Sequence, residues 1–201
     1  METFTRRVAI AGQVTDAETG AGIGGALVSI SGGPKPFLAW LAIRKAELAS
    51  RGVPAAGMPD VAVTGADGWF HFDALPDGKY ALDFGLPAAG TRYGTAKLSV
   101  KVRAGEGAVK PTDASAALPP TTVRGRVADA GGASVPMAEV RIKGSGEKTF
   151  SGVDGRYRLV GVERGARTVQ VQARGAAAAE AVAQLPDPGS SATLDFTVSP
   201  G

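Results

Sequence analysis

Apolar and polar positions alternate with a period of two through much of the chain. Val8, Ile10 and Val14 are separated by small or polar residues, and so are Leu98, Val100 and Val102. Val169 and Val171 stand against Gln170 and Gln172, and Leu194, Phe196 and Val198 alternate in the same way. This is the pattern of half-buried β-strands. Asp-Gly pairs at 67–68, 77–78 and 154–155 supply residues that tolerate positive φ, so they mark turns between strands.

One stretch follows a different period. Phe37, Trp40, Leu41 and Leu48, with Arg44 or Lys45 between them, recur at three- and four-residue steps. Pro34 and Pro36 stand at the start of this stretch and Gly52 just past its end, and good helix formers fill the interior. The spacing predicts a helix of about four turns over 37–51. A helix this short is marginal alone, so its apolar stripe must be covered.

The strand patterns come in two copies. Gly12-Gln13-Val14-Thr15-Asp16, followed by Ala26-Leu27-Val28-Ser29-Ile30, parallels Gly125-Arg126-Val127-Ala128-Asp129, followed by Ala138-Glu139-Val140-Arg141-Ile142. Thr64-Gly65-Ala66-Asp67-Gly68-Trp69-Phe70-His71-Phe72 parallels Ser151-Gly152-Val153-Asp154-Gly155-Arg156-Tyr157-Arg158-Leu159. The segments 75–82 and 162–169 continue the match. A repeat of this length predicts two domains, 1–119 and 120–201. The Pro119-Pro120 junction is restricted in φ, which predicts a semi-rigid pair. Short strands with regular turn signals predict an all-β fold, two tandem antiparallel β-sandwiches with one helix inserted in the first.

These residues resemble the carboxypeptidase regulatory-like domain, a prealbumin-like (transthyretin-like) sandwich. The resemblance rests on G-x-V-x-D, then A-x-V-x-I, then T-D-x-D-G-x-F/Y-x-F/L and a following G-x-Y. Two departures stand out. Arg167 occupies the position where the family has Tyr. The first copy also carries an insertion, because 55 positions separate Gly12 from Asp67 but only 29 separate Gly125 from Asp154, leaving 26 extra residues. The insertion falls at about 34–60 and contains the helix. The resemblance implies a fold and an accessory or recognition role, not a reaction.

Matching the copies assigns faces. Phe70 and Phe72 correspond to Tyr157 and Leu159 and should face the core. Trp69 and His71 then point outward, where the second copy has Arg156 and Arg158. An outward Trp and an inserted helix, both in the first copy only, suggest a helix lying over that sheet face. The other reading is a helix that docks into a partner, with Phe37, Trp40 and Leu41 as anchors. Phe37, Trp40, Leu41, Arg44, Leu48, Trp69 and His71 are the candidate protein-binding residues.

Composition narrows the chemistry. The chain lacks Cys, has a single His and carries a net charge of +3 with acidic and basic residues interspersed. Without Cys there are no disulfides, zinc-thiolate sites or thiol nucleophiles. Without a concentrated basic run, nucleic acid is not an expected partner. His71 alone cannot build a zinc peptidase site, and no nucleophile-elbow motif accompanies it. Asp67, Asp73, Asp77 and Asp83 are close in sequence but form no calcium loop, and the turns account for Asp67 and Asp77. No cofactor or metal is expected, and the chain does not read as an enzyme.

No stretch approaches the length of a membrane span, and no apolar leader follows Arg6-Arg7. That predicts a cytoplasmic protein or one within an assembled particle, or an extracellular one if the sequence has been trimmed. The expected role is a non-catalytic structural and protein-interaction module. It would be a subunit or adaptor of a larger assembly, for example a phage-tail-like or contractile injection particle. The alternative is a carbohydrate-binding or adhesin-type surface module, with Trp69 and Tyr93 as a stacking platform.

Overall fold

The computed structural model describes residues 7–54, 57–103 and 110–201. These divide into two compact units. Residues up to Ala88 and Thr95–Leu118 form the first, and Ala89–Gly94 with Pro119–Gly201 form the second. Each is a β-sandwich, and each carries the same strand order. Residues 1–6, which include the start of the Arg6-Arg7 pair, lie outside the described residues.

In the first unit the strands are β1 (Val8–Asp16), β2 (Leu27–Gly32), β3 (Val61–Val63), β4 (Trp69–Asp73), β5 (Gly78–Gly85), β6 (Ala96–Val102), β7 (Thr112–Asp113) and β8 (Ala116–Leu118). Helix α1 (Lys35–Ser50) lies between β2 and β3. One sheet runs β4-β1-β7, with β8 also on β1, and the other runs β3-β2-β5-β6. Their inner faces bury Ile10, Val14, Val28, Ile30, Phe70, Phe72, Tyr80, Leu82, Phe84 and Leu118. Phe70 meets Phe72 and Phe84 edge-on, with ring centroids 6.1 and 5.8 Å away. The inward placement expected for Phe70 and Phe72 is therefore found.

The second unit repeats this layout with β9 (Thr122–Asp129), β10 (Glu139–Ile142), β11 (Lys148–Phe150), β12 (Arg156–Val160), β13 (Gly165–Gln172), β14 (Ala179–Leu185), β15 (Ser191–Thr193) and β16 (Phe196–Val198). Its sheets run β12-β9-β15, with β16 on β9, and β11-β10-β13-β14. Val123, Val127, Val140, Ile142, Tyr157, Leu159, Val169, Val171, Leu185 and Phe196 fill its core. Residues 89–94 cluster with this unit, not with β5 and β6, which flank them in sequence. Arg92 is one of the ties, beside the Thr121 N–H that donates to its carbonyl at 2.8 Å. Its guanidinium pairs with the carboxylate of Glu147, lies 3.6 Å from Glu163 and donates to the Gly161 carbonyl at 3.1 Å.

The expected antiparallel pairing holds for most of the ladders. The exception is the last strand of each unit, which runs parallel to the first: β7 and β8 on β1, β15 and β16 on β9. Alternation reveals which residues face inward but not the direction of the neighbouring strand. In both units this last strand is broken in the middle. The break is where Gly12 and Gly125 lie, and a Cβ on Gly12 would be 2.6 Å from the Ala114 carbonyl carbon. On Gly125 it would be 1.9 Å from the Leu194 oxygen. The glycine of G-x-V-x-D is therefore set by close backbone approach, not by φ.

The other repeated residues also have local structural work. Asp16 Oδ1 accepts from the backbone N–H groups of Glu18 and Thr19, and Asp129 Oδ1 accepts from those of Gly131 and Ala133. Thr64, buried, accepts from the Ala26 N–H and donates to the Ile23 carbonyl; Ser151 does the same between Ala138 and Val135. Gly68 and Gly155 take φ values of +82° and +74°, the left-handed conformation their turns require.

Candidate functional site

Helix α1 is tied to the end of the β2–β5 sheet. Only two residues separate it from β2, and Pro34 packs so closely on Gly78 that a Cβ there would meet the Pro34 Cγ at 2.3 Å. From this fixed start, Phe37 meets the Tyr80 ring edge-to-face at 5.5 Å, and Phe37 and Leu41 are the buried side chains of the helix. One turn on, Lys45 Nζ bonds Asp60 Oδ2 at 2.6 Å, and that carboxylate is itself buried. Arg44 and Leu48 are half-buried, and Glu47 pairs with both Arg44 and Arg51 at 2.6 Å.

The opposite side of α1 is not covered within the first unit. Trp40 is 52% exposed and Ile43 73%. Their three-residue spacing makes them neighbours on one helix face. Trp40 also leans on Phe37, at 5.9 Å between centroids, so a buried ring steadies the exposed one.

Trp69 and His71 are elsewhere. They lie on β4, in the sheet opposite to the one that holds the helix. The expectation that α1 covers the Trp69 face is corrected here. Trp69 is 53% exposed and lines a cleft of about 530 Å³ with Arg7, Val8, Ala11, Phe70, His71, Lys110 and Pro111, none of them helical. The short β2–α1 link keeps the helix with the β2 sheet. The seven candidate residues therefore form two groups, Phe37, Trp40, Leu41, Arg44 and Leu48 on the helix and Trp69 and His71 on β4.

The β4 face has an exact counterpart by register in the second unit. In the first, Ala11 lies opposite His71 and Gln13 opposite Trp69. In the second, Arg124 lies opposite Arg158 and Arg126 opposite Arg156. The same four positions thus carry Ala, Gln, Trp and His in one copy and four arginines in the other. A shared contact fixes the equivalence. Gln13 Nε2 donates to the Asp67 carbonyl at 2.8 Å, and Arg126 Nε donates to the Asp154 carbonyl at 3.3 Å. The arginine face lines an open cleft of about 830 Å³ together with Thr149, Phe150, Tyr157, Thr193 and Asp195.

This arginine face escaped the sequence reading. Arg156 and Arg158 were assigned outward, but as the bland counterpart of Trp69 and His71. Alternate placement on two strands about thirty positions apart makes no basic run. The available signal was Arg124 and Arg126 flanking the motif glycine with the same two-residue step.

The chemistry around His71 is sparse. Its Nε2 is 3.9 Å from Asp73 Oδ1, beyond hydrogen-bond reach, and among the described residues no Ser or Thr lines the cleft with it. Asp67 accepts from the Trp69 N–H, as a turn residue does. Among the described residues no group of three or more His, Asp or Glu could hold a metal ion. Nor, among them, is any helix long and apolar enough to cross a membrane.

Tyr80, Tyr157 and Glu147 depart from ordinary acidity. Burial, helped by Asp77, pushes Tyr80 up to about 12, and its hydroxyl donates to the Pro76 carbonyl at 2.8 Å. Burial also raises Tyr157, with Asp195 adding to it, and its hydroxyl donates to the Leu194 carbonyl at 2.6 Å. Arg167, which replaces the Tyr80 counterpart, keeps the same reach: its Nε donates to the Glu163 carbonyl, again four residues back, at 3.1 Å. Burial would raise Glu147, but hydrogen bonds from Ser145 and its own backbone, with the Arg92 charge, hold it below the usual carboxylate value.

Residues 122–199 match the family model of the carboxypeptidase regulatory-like domain. The first unit has the strand order of the second, with α1 inserted between its second and third strands. No curated protein matches the sequence. Among solved structures, the chain is similar to the shaft pilin SpaA from Lactobacillus rhamnosus GG, at 12% identity over 97% of this chain and 98% of that one, with a TM-score of 0.40. It is similar to a Streptococcal ancillary pilin at 14% identity, over 100% of this chain and 64% of that one, with a TM-score of 0.38. It is also similar to the Bacillus anthracis TIE protein, at 12% identity over 97% of this chain and a TM-score of 0.40, and spans 34% of that protein's length.

Proposed function

We propose that the chain is a non-catalytic structural and protein-interaction module, and that it holds a partner protein through the exposed side of α1. On this reading it is a subunit or adaptor of a larger assembly, a phage-tail-like or contractile injection particle being one such case. The observation that carries the reading is the asymmetry of the helix. Phe37, Leu41 and the Lys45–Asp60 pair pin one side, and Trp40 and Ile43 remain together on the other. A helix held in place before binding loses little conformational freedom when a partner arrives. Trp is also the residue type most enriched among interface hot spots. The motif residues support the non-catalytic part, since Gly12, Asp16, Thr64 and Asp67 and their counterparts serve turns and close strand contacts.

The carbohydrate reading draws on Trp69 in its open cleft. Its expected second aromatic, Tyr93, belongs to the other unit, where it bridges to Pro120. One experiment separates the readings. The Trp40→Glu/Ile43→Glu variant should lose the partner that co-purifies with the wild-type chain, with its thermal midpoint unchanged because both residues are exposed. Trp69→Ala should keep the partner. Loss of the partner in Trp69→Ala alone would overturn the helix reading.

A further inference from the structure

We propose that the outer face of β9 and β12 in the second unit binds an extended acidic peptide segment, with carboxylates at alternate positions. The inference rests on the reading of the chain as a protein-interaction module and adds a site that the helix does not supply.

The fold does not require arginine at these four positions. The first unit builds the same strand pair with Ala11, Gln13, Trp69 and His71. Like charges set directly opposite each other on paired strands are destabilising. Here this happens twice, at Arg126–Arg156 and at Arg124–Arg158. Two such pairs on one face point to a use beyond the turn contact that Arg126 makes.

Among the described residues no carboxylate pairs with the Arg124 or Arg126 guanidinium. Asp154 lies 3.7 Å from Arg156 Nε, and Asp195 Oδ1 accepts from the Arg126 backbone N–H. The Arg126 guanidinium is spent on neutral acceptors, the Gly132 carbonyl and the Ser134 hydroxyl, besides the Asp154 carbonyl. Arg124 has no carboxylate partner among the described residues. The face is therefore a positive surface complementary to an anion, and all of its cations are arginine. The planar guanidinium fork grips carboxylates in bidentate fashion, which a lysine ammonium does not.

Geometry selects the form of the anion. Alternate residues on a strand are about 6.8 Å apart and neighbouring strands about 4.8 Å. An extended peptide repeats its own side chains at that same 6.8 Å step, so acids at every second residue fall in register with Arg156 and Arg158. The cleft also reaches Thr149 and Phe150 on β11, and β11 and β12 are the end strands of their sheets. End strands offer backbone groups to an added peptide strand. Phe150, 48% exposed, offers an apolar contact to a side chain between the acids.

The test uses the full chain and a fluorescein-labelled heptapeptide with glutamate at every second position and serine or valine between, read by anisotropy. The expected result is saturable binding that weakens as salt is raised to about 0.5 M, as exposed charge contacts do. A peptide of the same composition with its glutamates in one block should bind more weakly. Arg124→Gln should weaken binding at least about tenfold, the loss of a charge-assisted pair. Its thermal midpoint should not fall, since it removes one of two like charges set opposite each other. Arg156→Lys/Arg158→Lys keeps the charge and should still bind more weakly. Trp40→Glu/Ile43→Glu should bind the peptide normally, so failure of the helix reading and failure of this one are told apart. The proposal is overturned if the alternating peptide does not bind, if the block peptide binds as well, or if the Gln variant binds unchanged. Preferential binding of a sulfated oligosaccharide or single-stranded DNA over the peptide overturns it too.

Discussion

At Gly125 the last strand of the second unit runs so close to the first that a methyl group would lie 1.9 Å from the Leu194 oxygen. No relaxation of a flexible side chain relieves that, because the obstacle is backbone. Gly125→Ala should destabilise the second unit by about 3 kcal/mol, and Gly146→Ala, with nothing within 4 Å of its would-be Cβ, should stay within about 0.5 kcal/mol. Differential scanning calorimetry of the two variants checks this, and an unchanged midpoint for Gly125→Ala would contradict it. Residues of this kind were only half legible in the sequence. The Asp-Gly turns announce themselves because few residues adopt their φ. Gly12 and Gly125 gave no hint of a close backbone approach, since the Ala114–Ser115 and Leu194–Asp195 breaks they meet are remote in sequence. Arg167 read as a departure from the family, yet it makes the i−4 carbonyl bond that Tyr80 makes.

Elements were more legible than their placement. The helical period and its Pro and Gly boundaries located α1 to within two residues, and the period-two stretches located the strands. Which sheet the helix rests on was not legible, because that depends on a two-residue link and the Pro34–Gly78 contact. Its docking has a measurable consequence at Tyr80. Phe37 seals the phenol, whose ionisation lies near 12 instead of the ordinary 10. Between those values the unfolded chain releases a proton that the folded chain keeps, so the first unit loses stability as pH rises through that window. Phe37→Ala should move the phenol back toward 10, shrink this alkaline loss and cost about 3 kcal/mol at neutral pH through the cavity it leaves. Trp40→Ala should do none of these. Ultraviolet titration of tyrosinate, with denaturation curves at neutral and alkaline pH, reads all three effects; a Tyr80 titration unmoved by Phe37→Ala would refute the sealing role.

At the scale of the molecule, one sandwich plan is used twice with different surfaces. The tandem organisation was plain in the sequence because the repeat preserves strands, turns and motif order. The surfaces were not. Arg124 and Arg126 become neighbours of Arg158 and Arg156 only through the β9–β12 ladder, so no local run signals them. Likewise Trp40 and Ile43 read as part of one apolar stripe until packing divided the helix into a buried and an open side. The central claim, that the open side of α1 is where the protein meets its partner, is tested most directly by site-specific photocrosslinking. A photoreactive residue would be placed at Ile43, and in a separate chain at Val182, an apolar β14 residue 52% exposed in the second unit, both expressed in the cells that make the protein. The account predicts one discrete protein adduct from position 43 and none from position 182. No adduct at 43, or the same adducts from both positions, would contradict it.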